Sequence, residues 1–115
     1  MSGAMIYKIF RQAEWADFQA KGQTKGAPID LADGFIHFST AGQVRETAAK
    51  HFAGQDDLVL AAIEDSTVVD ALTWEISRND QLFPHLFRAL HQGDVSWCIP
   101  LKLGADGHIF PDDLK

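Results

Sequence analysis

An unbroken apolar run at residues 58–63, Leu-Val-Leu-Ala-Ala-Ile, places the strongest constraint on how this chain can fold. The run has the length of a strand, whereas a membrane-spanning helix needs about twenty apolar residues. Since both faces of such a strand are apolar, the run predicts a central strand that is covered on both sides. We therefore expect a soluble protein with no membrane partner.

The composition is typical of one globular domain: 115 residues, 46% apolar and 23% charged. A net charge of -6 opposes unspecific attraction to nucleic acids. The single cysteine, Cys98, cannot close an internal disulfide, which favours a reducing, cytoplasmic location. We expect one domain over residues 6–115 and a disordered N-terminus over residues 1–5.

Short apolar stretches separated by turns predict an α+β fold, a compact structure of about six short strands and two or three helices. The clearest strands are expected at residues 6–10, 35–39, 58–63, 72–77 and 95–103. A first helix would bury Trp15 and Phe18, and a polar loop containing Pro28 would follow it. A second helix would run from Thr40 to Phe52, because Thr40 and Gln43 have the spacing of a capping box.

Two strand predictions concern which residues enter the core. Along residues 72–77, alternation predicts that Leu72, Trp74 and Ile76 point inward while Glu75 lies on the opposite face. Trp97 and Trp15 are likewise expected in the core. Pro100 predicts an edge or a bulge in the last strand.

The segment that contains His37 is the first candidate site. Alternation places His37 and Ser39 on one face of their strand, and the helix starting near Thr40 and Gln43 would offer free backbone amides. Such a face suits a phosphate or another anion. Two ordinary explanations stay open: Thr40 and Gln43 cap each other, and the polar face meets water.

The second candidate site joins Glu75 to the segment Phe-Pro-His-Leu-Phe at residues 83–87. Glu75 would meet His37 if both strands line one cleft, where a carboxylate can hold a ribose hydroxyl or stabilise a cationic sugar. Pro84 would stiffen a loop that presents His85 beside Phe83. Alternatively, Glu75 faces solvent and His85 points outward. No His, Cys or carboxylate spacing indicates a metal site.

Several segments carry a resemblance to a known family. They are residues 6–9, 33–40 (Asp-Gly-Phe-Ile-His-Phe-Ser-Thr) and 83–87, with Trp15, Gln43, Thr47, Ala48, Phe52, Trp74 and Glu75. Together they resemble the bacterial and plant family named domain of unknown function family 952, over nearly the whole chain from Ile6.

The resemblance implies an ADP-ribosyltransferase-like fold, a split β structure whose cleft holds NAD or an ADP-ribosylated group in better-known relatives. Residues 35–39 are similar to the His-x-Ser strand of RNA 2′-phosphotransferases. His37 and Ser39 are therefore the positions carried over, and Glu75 stands for a transferase's acidic residue. Relatives that handle NAD usually carry His or Arg on the first strand, where this chain has Tyr7, Lys8 and Ile9.

Three functions compete. The first is an ADP-ribosyl or phosphoryl transferase with Glu75 and His37 as catalytic residues, acting on NAD or a phosphorylated ribose. The second is a non-catalytic module that binds a nucleotide-like or anionic small molecule. Both would use the same substrate-binding residues: His37, Ser39, Thr40, Gln43, Phe83 and His85. The third is an interaction protein without a small-molecule site.

Overall fold

The computed structural model describes residues 4–114 and shows an α+β protein whose strands all pair antiparallel within that range. The strands are β1 (Met5–Arg11), β2 (Gln23–Thr24), β3 (Ile36–His37), β4 (Ser39–Thr40), β5 (Leu58–Glu64), β6 (Leu72–Ile76), β7 (Leu82–Leu86), β8 (Leu90–His91), β9 (Trp97–Leu101), β10 (Leu103–Gly104) and β11 (Gly107–His108). The α-helices are α1 (Gln12–Lys21), α2 (Pro28–Asp33) and α3 (Ala41–His51). Single 3₁₀ turns occupy Asp65–Ala71, Arg78–Asp80 and Gln92–Asp94.

The main sheet has the strand order β4-β1-β5-β9. Its strand β5 lies between β1 and β9, and residues 58–63 are buried, which confirms the predicted central strand. One apolar cluster packs on each face of this sheet: Phe10 and Phe18 belong to one, and Tyr7 and Val44 to the other. Covering both faces buries the whole apolar run. β9 is an edge strand, as Pro100 predicts.

A second sheet has the order β3-β7-β6, and it separates from the main sheet at Phe38. β3 pairs with β7 while β4, two residues later, pairs with β1. The Phe38 amide between them donates to the Pro84 carbonyl oxygen at 3.0 Å. The single strand expected over residues 35–39 is therefore two short strands in two sheets. A cleft opens where these sheets diverge.

The two predicted helices are present with small differences in length. α1 buries Trp15 and Phe18 as expected. At the start of α3, the Thr40 amide donates to Gln43 Oε1 at 3.0 Å, which is half of the predicted capping box. α3 ends at His51, one residue before the expected Phe52.

Three of the secondary-structure predictions were wrong. The polar loop containing Pro28 is helix α2, with proline at its first position, where the missing amide costs nothing. The Pro84 loop is the central strand β7. The last strand is shorter than residues 95–103, since β9 and β10 are separate.

Three residues expected in the core, Trp74, Ile76 and Trp97, are exposed. Trp74 is 38% exposed and Ile76 is 62% exposed, while Leu72 on the same face is half-buried. Exposure rises toward the turn because the β6–β7 hairpin extends past the core. Trp97, 36% exposed, sits on an edge strand with its ring against Tyr7.

Two residues of the N-terminal segment expected to be disordered are described by the structure. The Ala4 carbonyl oxygen accepts from the Asp65 amide, and Met5 pairs with Glu64. Residues 1–3 of the expected disordered segment, and Lys115 of the expected domain, lie outside the described residues. In the described range, no helix is long and apolar enough to cross a membrane.

Candidate functional site

A cavity of about 580 Å³ lies in the cleft between the two sheets, a size that suits a small-molecule site. Strand β1, helices α2 and α3, and strands β3, β4 and β7 supply its walls. The lining residues are Tyr7, Lys8, Ile9, Arg11, Ala27, Ile29, Asp30, Asp33, His37, Phe38, Ser39, Val44, Thr47, His51, Phe52, Ser77, Phe83 and His85. Aromatic rings therefore share the cavity with charged groups and three imidazoles.

His37, at the end of β3, is held by two carboxylates of α2. Its Nδ1 lies 2.5 Å from Asp30 Oδ1, and its Nε2 lies 3.1 Å from Asp33 Oδ2. The ionised Asp30 carboxylate only accepts hydrogen bonds, so Nδ1 of His37 donates to it. The Asp33 carboxylate lies beside Nε2, on the other side of the ring.

Asp30 is buried behind His37 and is hydrogen-bonded on several sides. Its carboxylate accepts from the Ala27 amide at 2.8 Å, from the His37 amide at 3.1 Å and from Lys8 Nζ at 3.0 Å. Burial by itself raises the pKa of Asp30, but the hydrogen bond from His37 and the charge of Lys8 outweigh burial and hold that pKa below its ordinary value of 3.8. Asp30 is thus an ionised group that holds both Lys8 and His37 at the cavity.

Gly26 allows this carboxylate to approach the backbone. A Cβ atom at Gly26 would lie 2.1 Å from Asp30 Oδ2, and the residue has a φ of +99°. Both conditions exclude other side chains without local rearrangement.

His85, in the middle of β7, is oriented by Glu75 from the neighbouring strand β6. The distance from His85 Nδ1 to Glu75 Oε1 is 2.8 Å, and Nδ1 donates because the carboxylate accepts. His85 is buried, and its Nε2 has no hydrogen-bond partner among the described residues. A buried imidazole nitrogen without a partner is costly for stability alone, which makes it a mark of a functional group.

The two histidines form one centre. Their ring centroids are 5.3 Å apart, and β3 and β7 place the two residues directly opposite each other. The Phe35 ring stacks on His85 at 4.2 Å and contacts His37 at 4.7 Å. Each imidazole therefore has its own carboxylate, and one aromatic ring packs against both.

Four of the predicted site residues come together at the cavity wall: His37, Ser39, Phe83 and His85. The alternative that His85 points outward is excluded, because its side chain is 6% exposed. Ser39 Oγ is 2.9 Å from Thr47 Oγ1 on α3. His37 and Ser39 both line the cavity, from strands of two different sheets and not from one face of one strand as predicted.

Thr40, Gln43 and Glu75 are not among the lining residues. The Gln43 side chain accepts from the Thr40 amide and donates to the Leu82 carbonyl oxygen at 2.8 Å, which ties α3 to β7. Glu75 reaches the cavity only through His85. Glu75 was expected to meet His37 directly. Instead, His85 lies between them: it is hydrogen-bonded to Glu75, and its ring packs against His37.

Sequence reasoning missed Lys8, Asp30 and Asp33. A usable signal was present: Pro28 followed by Asp30 has the pattern of a helix start with an acidic first turn. No group of three or more His, Cys, Asp or Glu residues within the described range is arranged to hold a metal ion.

Comparisons with known proteins assign the chain to a family. Solved structures of protein CC0527 from Caulobacter crescentus are similar: the crystal structure has 48% sequence identity and a TM-score of 0.86 and covers 90% of this chain and 91% of its own. The solution NMR structure of CC0527 has 48% identity and a TM-score of 0.81, with 90% of each chain covered. The comparison with curated proteins gives no match. A family model described as "Protein of unknown function (DUF952)" matches residues 9–98, and the chain therefore belongs to this family.

Proposed function

We propose that this protein is a small transferase that binds a phosphorylated ribose or an NAD-derived ligand in the cavity and uses His37 and His85 as its acid and base. One observation carries the proposal: His85 Nε2 is buried without a partner while Glu75 holds Nδ1 on the other side of the ring. The ADP-ribosyltransferase-like relationship implied by the family resemblance supports the same ligand class.

The hydrogen bonds assign a role to each imidazole. When His85 is neutral, donation from Nδ1 to Glu75 leaves the Nε2 lone pair free to accept a proton, so His85 is the base. His37 donates from Nδ1 to Asp30 and has Nε2 beside Asp33 at the cavity, so His37 is assigned as the acid. Glu75 and Asp30 are positioning residues, because each fixes the orientation of a histidine.

The reaction that fits this pair is a group transfer. His85 Nε2 takes the proton of an acceptor hydroxyl while the hydroxyl oxygen forms a bond to phosphorus or to the ribose C1′ atom. The bond from that atom to the leaving group breaks, and the electron pair departs with the leaving group. His37 Nε2 supplies a proton to it after Asp33 releases that nitrogen; the Asp33 side chain is 45% exposed and has room to move.

The cavity also fits the non-reacting parts of such a ligand. Phe38, Phe52 and Phe83 offer flat apolar surfaces for a base, and Lys8 and Arg11 contribute positive charge. Because His85 Nε2 is buried, ligand contact with it requires a shift of a neighbouring side chain. Such a shift excludes water from the reacting atoms once the ligand is bound.

A second candidate function, binding without turnover, is favoured by one observation. Both ring nitrogens of His37 are occupied by Asp30 and Asp33, which leaves no free nitrogen on that side of the cavity. A module built in this way would use the same cavity to hold a nucleotide-like ligand.

A ligand screen followed by a turnover assay tests the proposal. Thermal unfolding would be measured with NAD, ADP-ribose, adenosine 2′,5′-bisphosphate and inorganic phosphate, and a ligand at one hundred times its Kd stabilises by about 2.7 kcal/mol. The bound compounds would then be incubated with the protein and acceptor nucleosides, and products separated by chromatography.

Matched histidine variants complete the test. His85→Ala and His37→Ala should remove product formation, whereas His91→Ala, an exposed histidine that is not among the cavity-lining residues, should not. Binding without any product would support the second candidate and reject the transferase. Absence of binding to every probe would reject both, and the interaction protein would remain.

A further inference from the structure

We propose that Ser39 selects a ligand that donates a hydrogen bond, a neutral sugar hydroxyl, and rejects an anionic phosphate oxygen at that position. This inference rests on the proposed function, which left open whether Ser39 meets a hydroxyl or a phosphate. It follows from the direction of two hydrogen bonds behind the cavity wall.

The first of these bonds fixes the proton of Thr47. Thr47 Oγ1 lies 3.1 Å from the Gln43 carbonyl oxygen one turn earlier in α3, and a carbonyl oxygen only accepts. Thr47 therefore donates to Gln43. A hydroxyl group has one proton, so Thr47 Oγ1 can only accept from its other hydroxyl neighbour.

The second bond then fixes the proton of Ser39. Ser39 Oγ is 2.9 Å from Thr47 Oγ1, and Ser39 is the donor in the arrangement in which Thr47 donates to the Gln43 carbonyl oxygen. Ser39 Oγ thus turns its lone pairs toward the cavity that it lines. Ser39 is buried, so water cannot compensate for a wrong partner.

A ligand oxygen that carries a proton satisfies these lone pairs, whereas a phosphate oxygen repels them. The ammonium group of Lys8 lies elsewhere on the cavity wall. Lys8 Nζ donates to Asp30 and to the His37 carbonyl oxygen, which leaves the third of its N–H hydrogens for a ligand. Ser39 and His37 line the same cavity from two different strands, β4 and β3. We therefore place the ribose hydroxyl at Ser39 and the phosphate near His37 and Lys8, which line the same cavity.

Four nucleotides would serve as probes: AMP, 2′-deoxy-AMP, 3′-deoxy-AMP and adenosine 2′,5′-bisphosphate. Calorimetric affinities of the full chain should fall about tenfold when one of the two hydroxyls is removed, the effect of one neutral hydrogen bond. Replacing that hydroxyl by phosphate should weaken binding further.

Two variants identify Ser39 as the selecting group. Ser39→Ala should bind AMP and the deoxy compound equally. Thr47→Val removes the acceptor of the Ser39 proton, so Ser39 can donate to the ligand and the penalty on the phosphate compound should shrink. Ser96→Ala, an exposed serine that is not a lining residue, is the control and should keep the wild-type preference.

The outcomes separate this inference from the proposed function. Equal binding of AMP and both deoxy compounds by the wild type, or an unchanged preference in Ser39→Ala, would overturn the selection by Ser39. If AMP binding in that case still requires His37, the proposed function stands. If none of the four probes binds, the proposed function and this inference fail together.

Discussion

Glu75 and His85 lie on adjacent strands but not opposite each other: Glu75 pairs with Phe83, and His85 pairs with Thr73. The 2.8 Å contact between Glu75 Oε1 and His85 Nδ1 is therefore a diagonal one across the β6–β7 ladder. The twist of the hairpin brings these side chains together, and it makes Glu75 the group that decides which nitrogen of His85 faces the ligand.

Replacing Glu75 with glutamine should impair His85 without unfolding the protein. The Glu75 side chain is 44% exposed, so the change leaves no buried charge. Loss of a charge-assisted hydrogen bond should lower turnover about 10- to 100-fold. Nitrogen-15 NMR of the imidazole should show a mixture of tautomers in Glu75→Gln where the wild type shows the Nδ1-protonated form. An unchanged tautomer would remove Glu75 from the positioning role.

Replacing Asp30 with asparagine should destabilise the fold strongly. Lys8 is 9% exposed and would lose its buried carboxylate, a change that costs about 3–5 kcal/mol in the free energy of unfolding. Urea unfolding measures this loss. Asp33→Asn is the matched control, since Asp33 is partly exposed, and it should change stability by less than about 1 kcal/mol.

The double variant Lys8→Met with Asp30→Leu tests whether the loss comes from the unpaired charge. Removing both partners eliminates the unpaired ammonium group of Lys8, and His37 keeps its contact with Asp33, so stability should recover relative to Asp30→Asn. A double variant as unstable as Asp30→Asn would assign the loss to the amide hydrogen bonds of Asp30 instead.

The stability of the wild type should fall with pH in a specific window. The pKa of Asp30 is held below 3.8 in the folded state, so ionised Asp30 stabilises the fold fully above the unfolded value. This stabilisation is lost as the pH falls from about 4 through the folded pKa. The pKa of Asp94 is raised by burial but lowered more by its hydrogen bond from Arg88, so it contributes in the same direction.

Urea unfolding at pH 6, 5, 4 and 3 checks this prediction. The contribution of Asp30 and Asp94 to the free energy of unfolding should stay constant from pH 6 to pH 5 and decline below about pH 4. Asp94→Asn should keep part of the decline, because Asp30 remains. A flat profile down to pH 3 in Asp94→Asn would contradict the role of Asp30.

Gly26→Ala should cost about 2–4 kcal/mol, because the new Cβ would collide with the Asp30 carboxylate and the residue has a positive φ. Gly22→Ala provides the control. Gly22 has a φ of +77° but open space around it, so it should lose only about 1–2 kcal/mol for backbone strain. Equal losses in the two variants would show that the contact with Asp30 is unimportant.

Local sequence patterns predicted much of the part of the site that lies between residues 36 and 43. Alternation correctly put Ile36 and Phe38 in the core, and His37 and Ser39 both line the cavity. The spacing of Thr40 and Gln43 correctly located the start of α3. These predictions depend on neighbours within about four positions, where backbone geometry alone decides which side chains meet.

The ion pair between Lys8 and Asp30 and the exposure of the β6–β7 hairpin could not be predicted in this way. Lys8 and Asp30 are 22 positions apart, and no local pattern shows that both become buried in one ion pair. Trp74 and Ile76 follow the alternation of a buried face, yet the hairpin carries them beyond the core. Alternation indicates which residues share a face, but another layer has to cover that face before it is buried.

The sequence by itself determined the central strand and the two longer helices. Only the tertiary structure decided that the strand over residues 35–39 divides between two sheets and that His85 is buried beneath Phe35 with Glu75 on its Nδ1. The physical reason is the separation along the sequence over which each kind of interaction acts. Strand periodicity and helix capping act between near neighbours, whereas burial and ionic pairing depend on which distant segments the fold packs together.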